Sequence, residues 1–140
     1  MIHGISHLTF IVRDLSRAAR FFCDGLGARE VYDSAARHFS LSHEKFFDLN
    51  GLWLVAMQGE PPPERSYRHV AFQVAEADLP HYATRLAAIG AEVRPPRPRP
   101  PRPRVAGEGQ SLYVYDFDNH LFELHTGTLS ERLDRCQNQS

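Results

Sequence analysis

The sequence predicts an α+β fold built from two paired βαβββ modules, and three observations support this prediction. The segments SHLTFIV at residues 6–12 and RHVAFQV at residues 68–74 share a histidine, a phenylalanine and a valine at matching places. In each half, a strand-like run is followed by a helical pattern and three further strand candidates. The glycine-alanine pair that ends each helical pattern lies 20 residues after His7 and 21 residues after His69. This match of order and spacing indicates an internal repeat.

The first module is expected at about residues 1–60. It opens with a strand at 3–13, which is rich in apolar and β-branched residues. Asp14 or Ser16 can cap the helix that follows, in which apolar residues recur at helical spacing until glycines end it. Three more strands are expected near residues 29–34, 38–48 and 52–58, the last two joined by an Asn-Gly hairpin turn.

The second module is expected at about residues 64–127 and repeats this order. Its strands are expected at 67–74, 91–94, 110–117 and 120–126, and its helix at 78–89. Three consecutive prolines at 61–63 form a stiff linker between the modules, and a short helix is expected at about 129–136. Since 140 residues are too few for two independent domains of ordinary size, the modules should form one domain with a shared core.

Composition excludes several classes of protein. Lysine and arginine number 16 against 17 aspartate and glutamate, so there is no general field for nucleic acid or an anionic membrane. The chain shows no apolar run of membrane-spanning length and no signal peptide. Cys23 and Cys136 are far apart, which is typical of free thiols in a cytoplasmic protein.

The unit Pro-Pro-Arg-Pro-Arg occurs twice in succession, at residues 95–99 and 100–104. Proline at this density cannot continue a ladder of hydrogen bonds, so an extended loop with four arginines is expected. The simplest interpretation is a solvated linker lengthened by a tandem duplication. An anion-attracting lid and a proline-motif ligand are the alternatives.

His7, His69 and Glu123 are the candidate ligands of one divalent metal. If the modules pack with approximate twofold symmetry, their first strands place the two histidines at related positions. Glu123 lies in a later strand, where a carboxylate is costly without a cation or hydrogen bonds. Leu54 occupies the corresponding position of the first module, so a fourth protein ligand is absent and coordination positions stay open for substrate and water.

Three other residues have two interpretations each. His120 competes as a ligand but falls in a turn, where exposure is expected. His125 shares the strand face of Glu123 and is expected to support the ligands rather than bind metal. Glu44 is either a surface charge paired loosely with Lys45 or the general base that activates a water molecule.

These residues resemble a known family. The paired modules with two histidines and a carboxylate resemble the vicinal oxygen chelate superfamily, over nearly the whole chain. More narrowly, the segments FSLSHEKFF at 39–47, ERSYRHVAF at 64–72 and YDFDNHLFELHTGTL at 115–129 look like the FosX type of fosfomycin-resistance hydrolase.

The resemblance implies a manganese-dependent enzyme that opens the epoxide of fosfomycin with water to give a diol. It assigns His7, His69 and Glu123 to Mn²⁺, although other divalent transition metals suit the same ligands, and it assigns Glu44 as general base. It further implies a homodimer whose modules are exchanged, so that His7 of one subunit meets His69 and Glu123 of the other.

The resemblance also implies donors to the phosphonate group of the drug. These donors are Thr9, Ser111, Tyr113 and Arg132, with Arg102 or Arg104 from the proline-rich loop. Thr9, Ser111 and Tyr113 can also be ordinary polar strand residues, and Arg132 can be an ordinary charge on a helix surface. The chain departs from the family pattern in its second Pro-Pro-Arg-Pro-Arg unit and in Gln110, where a basic residue is expected.

Three competing functions stay open at this point. A thiol transferase acting on the same drug would need a glutathione-like cosubstrate and would not need Glu44. A glyoxalase would want a second carboxylate where Leu54 stands, and a ring-cleaving dioxygenase is usually a longer chain. A metal-free protein that sequesters a drug would not need the three metal ligands.

Overall fold

A computed structural model describes residues 1–35, 42–94 and 109–138. The first module contains β1 (His7–Val12), α1 (Leu15–Ala19), β2 (Arg29–Asp33), β3 (Glu44–Leu49) and β4 (Leu52–Gln58). The second contains β5 (His69–Gln73), α2 (Leu79–Ala88), β6 (Glu92–Arg94), β7 (Ser111–Tyr115) and β8 (Leu121–His125), and α3 (Leu129–Gln137) follows it. Both Pro-Pro-Arg-Pro-Arg units, with Arg102 and Arg104, and the first part of the strand expected at 38–48 lie outside the described residues.

The two modules have the same sheet topology. Their strand orders are β1-β4-β3-β2 and β5-β8-β7-β6. In each sheet the first and last strands of the module pair in parallel, and the other neighbours are antiparallel. The predicted α+β fold of paired βαβββ modules is therefore confirmed.

The helix of the first module begins directly after Asp14, one of its two predicted caps, and changes from an α-helix to a π-helix before it ends. Asp14 Oδ1 accepts hydrogen bonds from the backbone N–H groups of Ser16 and Arg17, at 2.8 and 3.1 Å. After Ala19 the chain continues as a π-helical turn, Arg20–Gly25. A Cβ on Gly25 would lie 2.9 Å from Leu86 Cδ2, so glycine permits the close approach of α2.

The two modules share one hydrophobic core. The ring of Phe122 in β8 is fully buried, and its centroid lies 5.1 Å from Phe10 of β1 and 5.2 Å from Phe21 of the π-helical turn. Because side chains alternate along a strand, the face of β1 that carries Phe10 turns inward. His7 therefore lies on the opposite face of the sheet, away from this core.

Two further observations concern the described residues as a whole. None of their helices has both the length and the apolar composition needed to cross a membrane. Cys23 and Cys136 both carry free thiols.

Candidate metal centre

Four side chains of the second module meet on one face of its sheet, and we call them the second-module cluster: His69, Ser111, Tyr113 and Glu123. Glu123 in β8 lies opposite Tyr113 in the antiparallel register with β7, and opposite Ala71 in the parallel register with β5. His69 is two residues before Ala71, so it is on the same face. The strand register thus brings together residues that are 54 positions apart in sequence.

The contact between His69 and Glu123 fits a bound cation. His69 Nδ1 lies 2.7 Å from the backbone carbonyl oxygen of Tyr67, which can only accept, so Nδ1 carries the hydrogen. Nε2 then lies 3.2 Å from Glu123 Oε2. In the neutral imidazole this places a nitrogen lone pair against a carboxylate oxygen. A divalent metal bound by both atoms removes that repulsion, as in other histidine-carboxylate sites.

The other oxygen of Glu123 is held by the protein. Ser111 Oγ donates to Glu123 Oε1 at 2.6 Å, and it lies 2.8 Å from His125 Nδ1. Since the hydroxyl proton goes to the carboxylate, His125 donates to Ser111. This series of hydrogen bonds orients Glu123 so that Oε2 faces His69. His125 contacts the residue that holds Glu123, and its supporting role stays a prediction.

Tyr113 is held beside this carboxylate as a neutral phenol. Burial, a hydrogen bond to Tyr67 and the charge of Glu123 all raise the pKa of Tyr113. The two phenolic oxygens of Tyr113 and Tyr67 lie 3.1 Å apart. Tyr113 therefore remains a hydrogen-bond donor at neutral and moderately alkaline pH.

Tyr67 is a residue of this centre that sequence reasoning missed. Its carbonyl oxygen fixes the tautomer of His69, and its hydroxyl contacts Tyr113. It precedes His69 by two residues, so strand alternation could have placed it on the same face.

The first sheet carries a second set of predicted residues on one face, which we call the first-module face: His7, Thr9 and Glu44. The register pairs His7 with Trp53, Thr9 with Val55, and Glu44 with Met57. The ring of His7 lies 4.3 Å from that of Trp53, and Ser6 Oγ lies 3.0 Å from His7 Nδ1.

Glu44 is buried, with 7 % of its surface exposed. The interpretation of Glu44 as a surface charge paired with Lys45 is therefore wrong, because Lys45 pairs with Glu30 at 2.8 Å and with Asp33 at 3.4 Å. Across residues 1–35, 42–94 and 109–138 its carboxylate has no hydrogen-bond or ion-pair partner. The carboxylate of this largely buried residue is thus free to accept a hydrogen bond from a water molecule, which a general base requires.

The two sets do not meet within one chain. Each lies on the sheet face opposite the shared core, and the described residues contain no group of three or more metal-binding side chains. The expectation that Leu54 is the counterpart of Glu123 is wrong, because Leu54 pairs with Leu8 and is fully buried in the core. Glu123 pairs with Ala71, two residues after His69, and Val55 pairs with Thr9, two residues after His7, so Val55 is the counterpart. Val55 is not a metal ligand either.

Three other predicted positions lie outside both sets. Arg132 is exposed on α3. Gln110 donates through Nε2 to Glu76 Oε1 at 2.7 Å. His120 is half-buried rather than exposed as expected: Asp116 Oδ2 lies 2.7 Å from its Nδ1, and its ring centroid lies 5.3 Å from that of Phe10.

The fold, the second-module cluster and the first-module face together fit a known superfamily of proteins. The model of the Glyoxalase/Bleomycin resistance protein/Dioxygenase superfamily matches residues 4–124. The chain belongs to this superfamily and, by the relatives that follow, to its fosfomycin resistance branch.

Two FosX relatives cover almost the whole chain. The fosfomycin resistance protein FosX of Mesorhizobium japonicum is 56 % identical over 135 residues, which are 96 % of this chain and 94 % of that protein. A crystal structure of a FosX mutant from Listeria monocytogenes, complexed with Mn(II) and 1S,2S-dihydroxypropylphosphonic acid, matches with a TM-score of 0.80 at 46 % identity, covering 97 % of this chain and 99 % of that one.

A metallothiol transferase is also similar to this chain, at lower identity. The metallothiol transferase FosB of Shouchella clausii is 37 % identical over 138 residues, covering 95 % of this chain and 86 % of that protein.

Proposed function

We propose that this chain is a manganese-dependent hydrolase that opens the epoxide of fosfomycin with water, inactivating the drug and conferring resistance. The observation that supports this most directly is that Glu44 is largely buried on the same sheet face as His7, with no partner for its carboxylate among the residues that the structure describes. The similarity to FosX proteins, one of them complexed with Mn(II) and a dihydroxypropylphosphonate, supports the metal and the substrate class.

His7, His69 and Glu123 are the proposed ligands of the metal. When bound, Mn²⁺ supplies a Lewis acid that polarises the epoxide and phosphonate oxygens of the substrate. The carbonyl of Tyr67 keeps the Nε2 lone pair of His69 available, and Ser111 orients Glu123 from the side of Oε1.

Glu44 is the proposed general base. Its carboxylate accepts a proton from a water molecule while the water oxygen bonds to a ring carbon, on the side opposite the breaking carbon–oxygen bond. The ring oxygen leaves the carbon with the electron pair of the broken bond and takes a proton from solvent water, and Glu44 then returns its proton to the solvent. The product is a vicinal diol, and no covalent intermediate with the enzyme forms.

The phosphonate needs hydrogen-bond donors in addition to the metal. Tyr113 is a protonated phenol beside Glu123, and Thr9 is exposed on the first-module face. Together with Arg132, they are the proposed donors to the phosphonate. Ser111 is also a proposed substrate-binding residue, but its one hydroxyl proton points to Glu123 Oε1, so it donates to the phosphonate only when that hydrogen bond breaks.

A homodimer with exchanged modules completes the proposed site. The first-module face and the second-module cluster lie on sheet faces turned away from the core that joins them, so one chain does not bring His7 to His69. A second chain related by a twofold axis can do so at two equivalent sites. We place this enzyme in the cytoplasm, in keeping with its two free thiols.

Phosphorus NMR tests the reaction directly. Purified protein is incubated with fosfomycin and Mn²⁺, with and without glutathione, for the wild type, Glu44→Gln and Glu64→Gln, the last being an exposed matched control. Diol formation without thiol in the wild type and the control, abolished in Glu44→Gln, is the expected result. Conversion only with glutathione would assign a thiol transferase instead, and binding without conversion would assign a drug-sequestering protein.

A further inference from the structure

The backbone of Glu44 is held on both of its polar groups by one buried serine. Ser34 donates its backbone N–H to the carbonyl oxygen of Glu44 at 3.0 Å. Ser34 Oγ accepts the backbone N–H of Glu44 at 2.9 Å. Only 2 % of the surface of Ser34 is exposed, so these bonds are shielded from water.

The hydroxyl oxygen of Ser34 accepts a hydrogen bond that a backbone carbonyl of β2 would accept if the strand continued. Strand β2 ends at Asp33, and Ala35 has a φ of 48°, which turns the chain out of the sheet. The ladder of hydrogen bonds between β2 and β3 therefore ends at Glu44, the first residue of β3. The serine side chain supplies the acceptor for the Glu44 N–H at that end.

The residues on either side of Glu44 are held by Asp33. His43 Nε2 lies 2.6 Å from Asp33 Oδ1, and Lys45 Nζ lies 3.4 Å from Asp33 Oδ2. Since neighbouring side chains of a strand alternate between its faces, fixing His43 and Lys45 on one face leaves Glu44 on the other. That other face is the first-module face.

We propose that Ser34 and Asp33 are positioning residues for Glu44, an inference that rests on the proposed hydrolase function. Ser34 fixes the position of the Glu44 backbone. Asp33 fixes the rotation of β3 about its own axis at Glu44. Neither residue belongs to the metal ligands or to the proposed phosphonate donors.

Steady-state kinetics of Ser34→Ala and Ser34→Thr, with Mn²⁺ binding followed by EPR, test the proposal. Misplacement of a reacting group by about 1 Å can cost about 100-fold in rate. We therefore expect Ser34→Ala to lower kcat by about 10- to 100-fold, with KM and Mn²⁺ affinity within about twofold of wild type. Ser34→Thr keeps the acceptor oxygen and should recover most of kcat. Ser16→Ala is the matched control, because Ser16 is exposed.

The outcomes separate this inference from the proposed function. Wild-type hydrolysis with an unchanged kcat in Ser34→Ala would overturn the inference alone, as would a parallel loss of Mn²⁺ binding and activity, which indicates a structural role. A wild type that forms no diol without thiol would overturn the proposed function and this inference together. If Ser34→Ala does not fold, the exposed Asp33→Ala variant decides, and an unchanged kcat there would contradict the proposal.

Discussion

Two inactive variants should restore activity when they share a dimer, provided that each site takes His7 from one subunit and His69 from the other. His7→Ala removes the first-module ligand, and His69→Ala removes a second-module ligand. In a mixed dimer one site loses both ligands and the other keeps both. A purified mixed dimer should therefore have about half of the wild-type activity, and randomly mixed subunits about a quarter, because about half of the dimers are then mixed.

The assay is Mn²⁺-dependent loss of fosfomycin by purified mixed dimers that carry a different affinity tag on each subunit. A matched control pairs His69→Ala with Glu123→Ala. Both substitutions lie in the second module, so neither site of that mixed dimer is complete and no recovery is expected. If the His7→Ala and His69→Ala mixture also stays inactive, each site is built within one chain and the exchanged arrangement is refuted.

Three further predictions concern the metal, the core and acid stability. Ser111→Ala removes the 2.6 Å hydrogen bond to Glu123 and should weaken Mn²⁺ binding by about 10-fold or more, measured by EPR titration; unchanged affinity would contradict the orienting role. Phe122→Ala opens a cavity in the fully buried core and should lower the free energy of unfolding by about 3–5 kcal/mol, measured by urea denaturation; a loss below about 1 kcal/mol would contradict a close-packed core. The hydrogen bond from His43 lowers the pKa of Asp33 from 3.8 to about 2, so its stabilisation is present above pH 3.8 and is lost as the pH falls through 2. The difference in urea midpoint between wild type and Asp33→Asn should therefore disappear between pH 4 and 2, and a difference that persists at pH 2 would be inconsistent with this cause.

The fold could be predicted because its signals are local. Repeated strand openings, a capped amphipathic helix and an Asn-Gly turn each depend on residues close together in sequence. The π-helical turn Arg20–Gly25 could not be predicted, because its apolar residues also fit α-helical spacing. The last residue of this turn, Gly25, packs closely against Leu86, which is 61 residues away in sequence.

The candidate site could be predicted only as a set of residues. Glu44 had two interpretations because sequence does not show burial. Its burial and the partners of Lys45 exclude the surface-charge interpretation, and the role of general base stays a proposal. The contacts of Ser111 with Glu123 and His125 depend on the exact register of β7 against β8. His120 was expected in solvent, yet its ring packs against Phe10 from the other module.

The shared core has a consequence for how such a chain could arise. Phe10 and Phe122 bury each other, although they belong to different copies of the repeat. Neither βαβββ unit has a complete apolar interior of its own, so cutting the chain at the triple-proline linker would expose the inner face of both halves. An ancestor of half this length would have met the same need by pairing with a second copy of itself, and fusion of two such genes would then have joined partners that already fitted together.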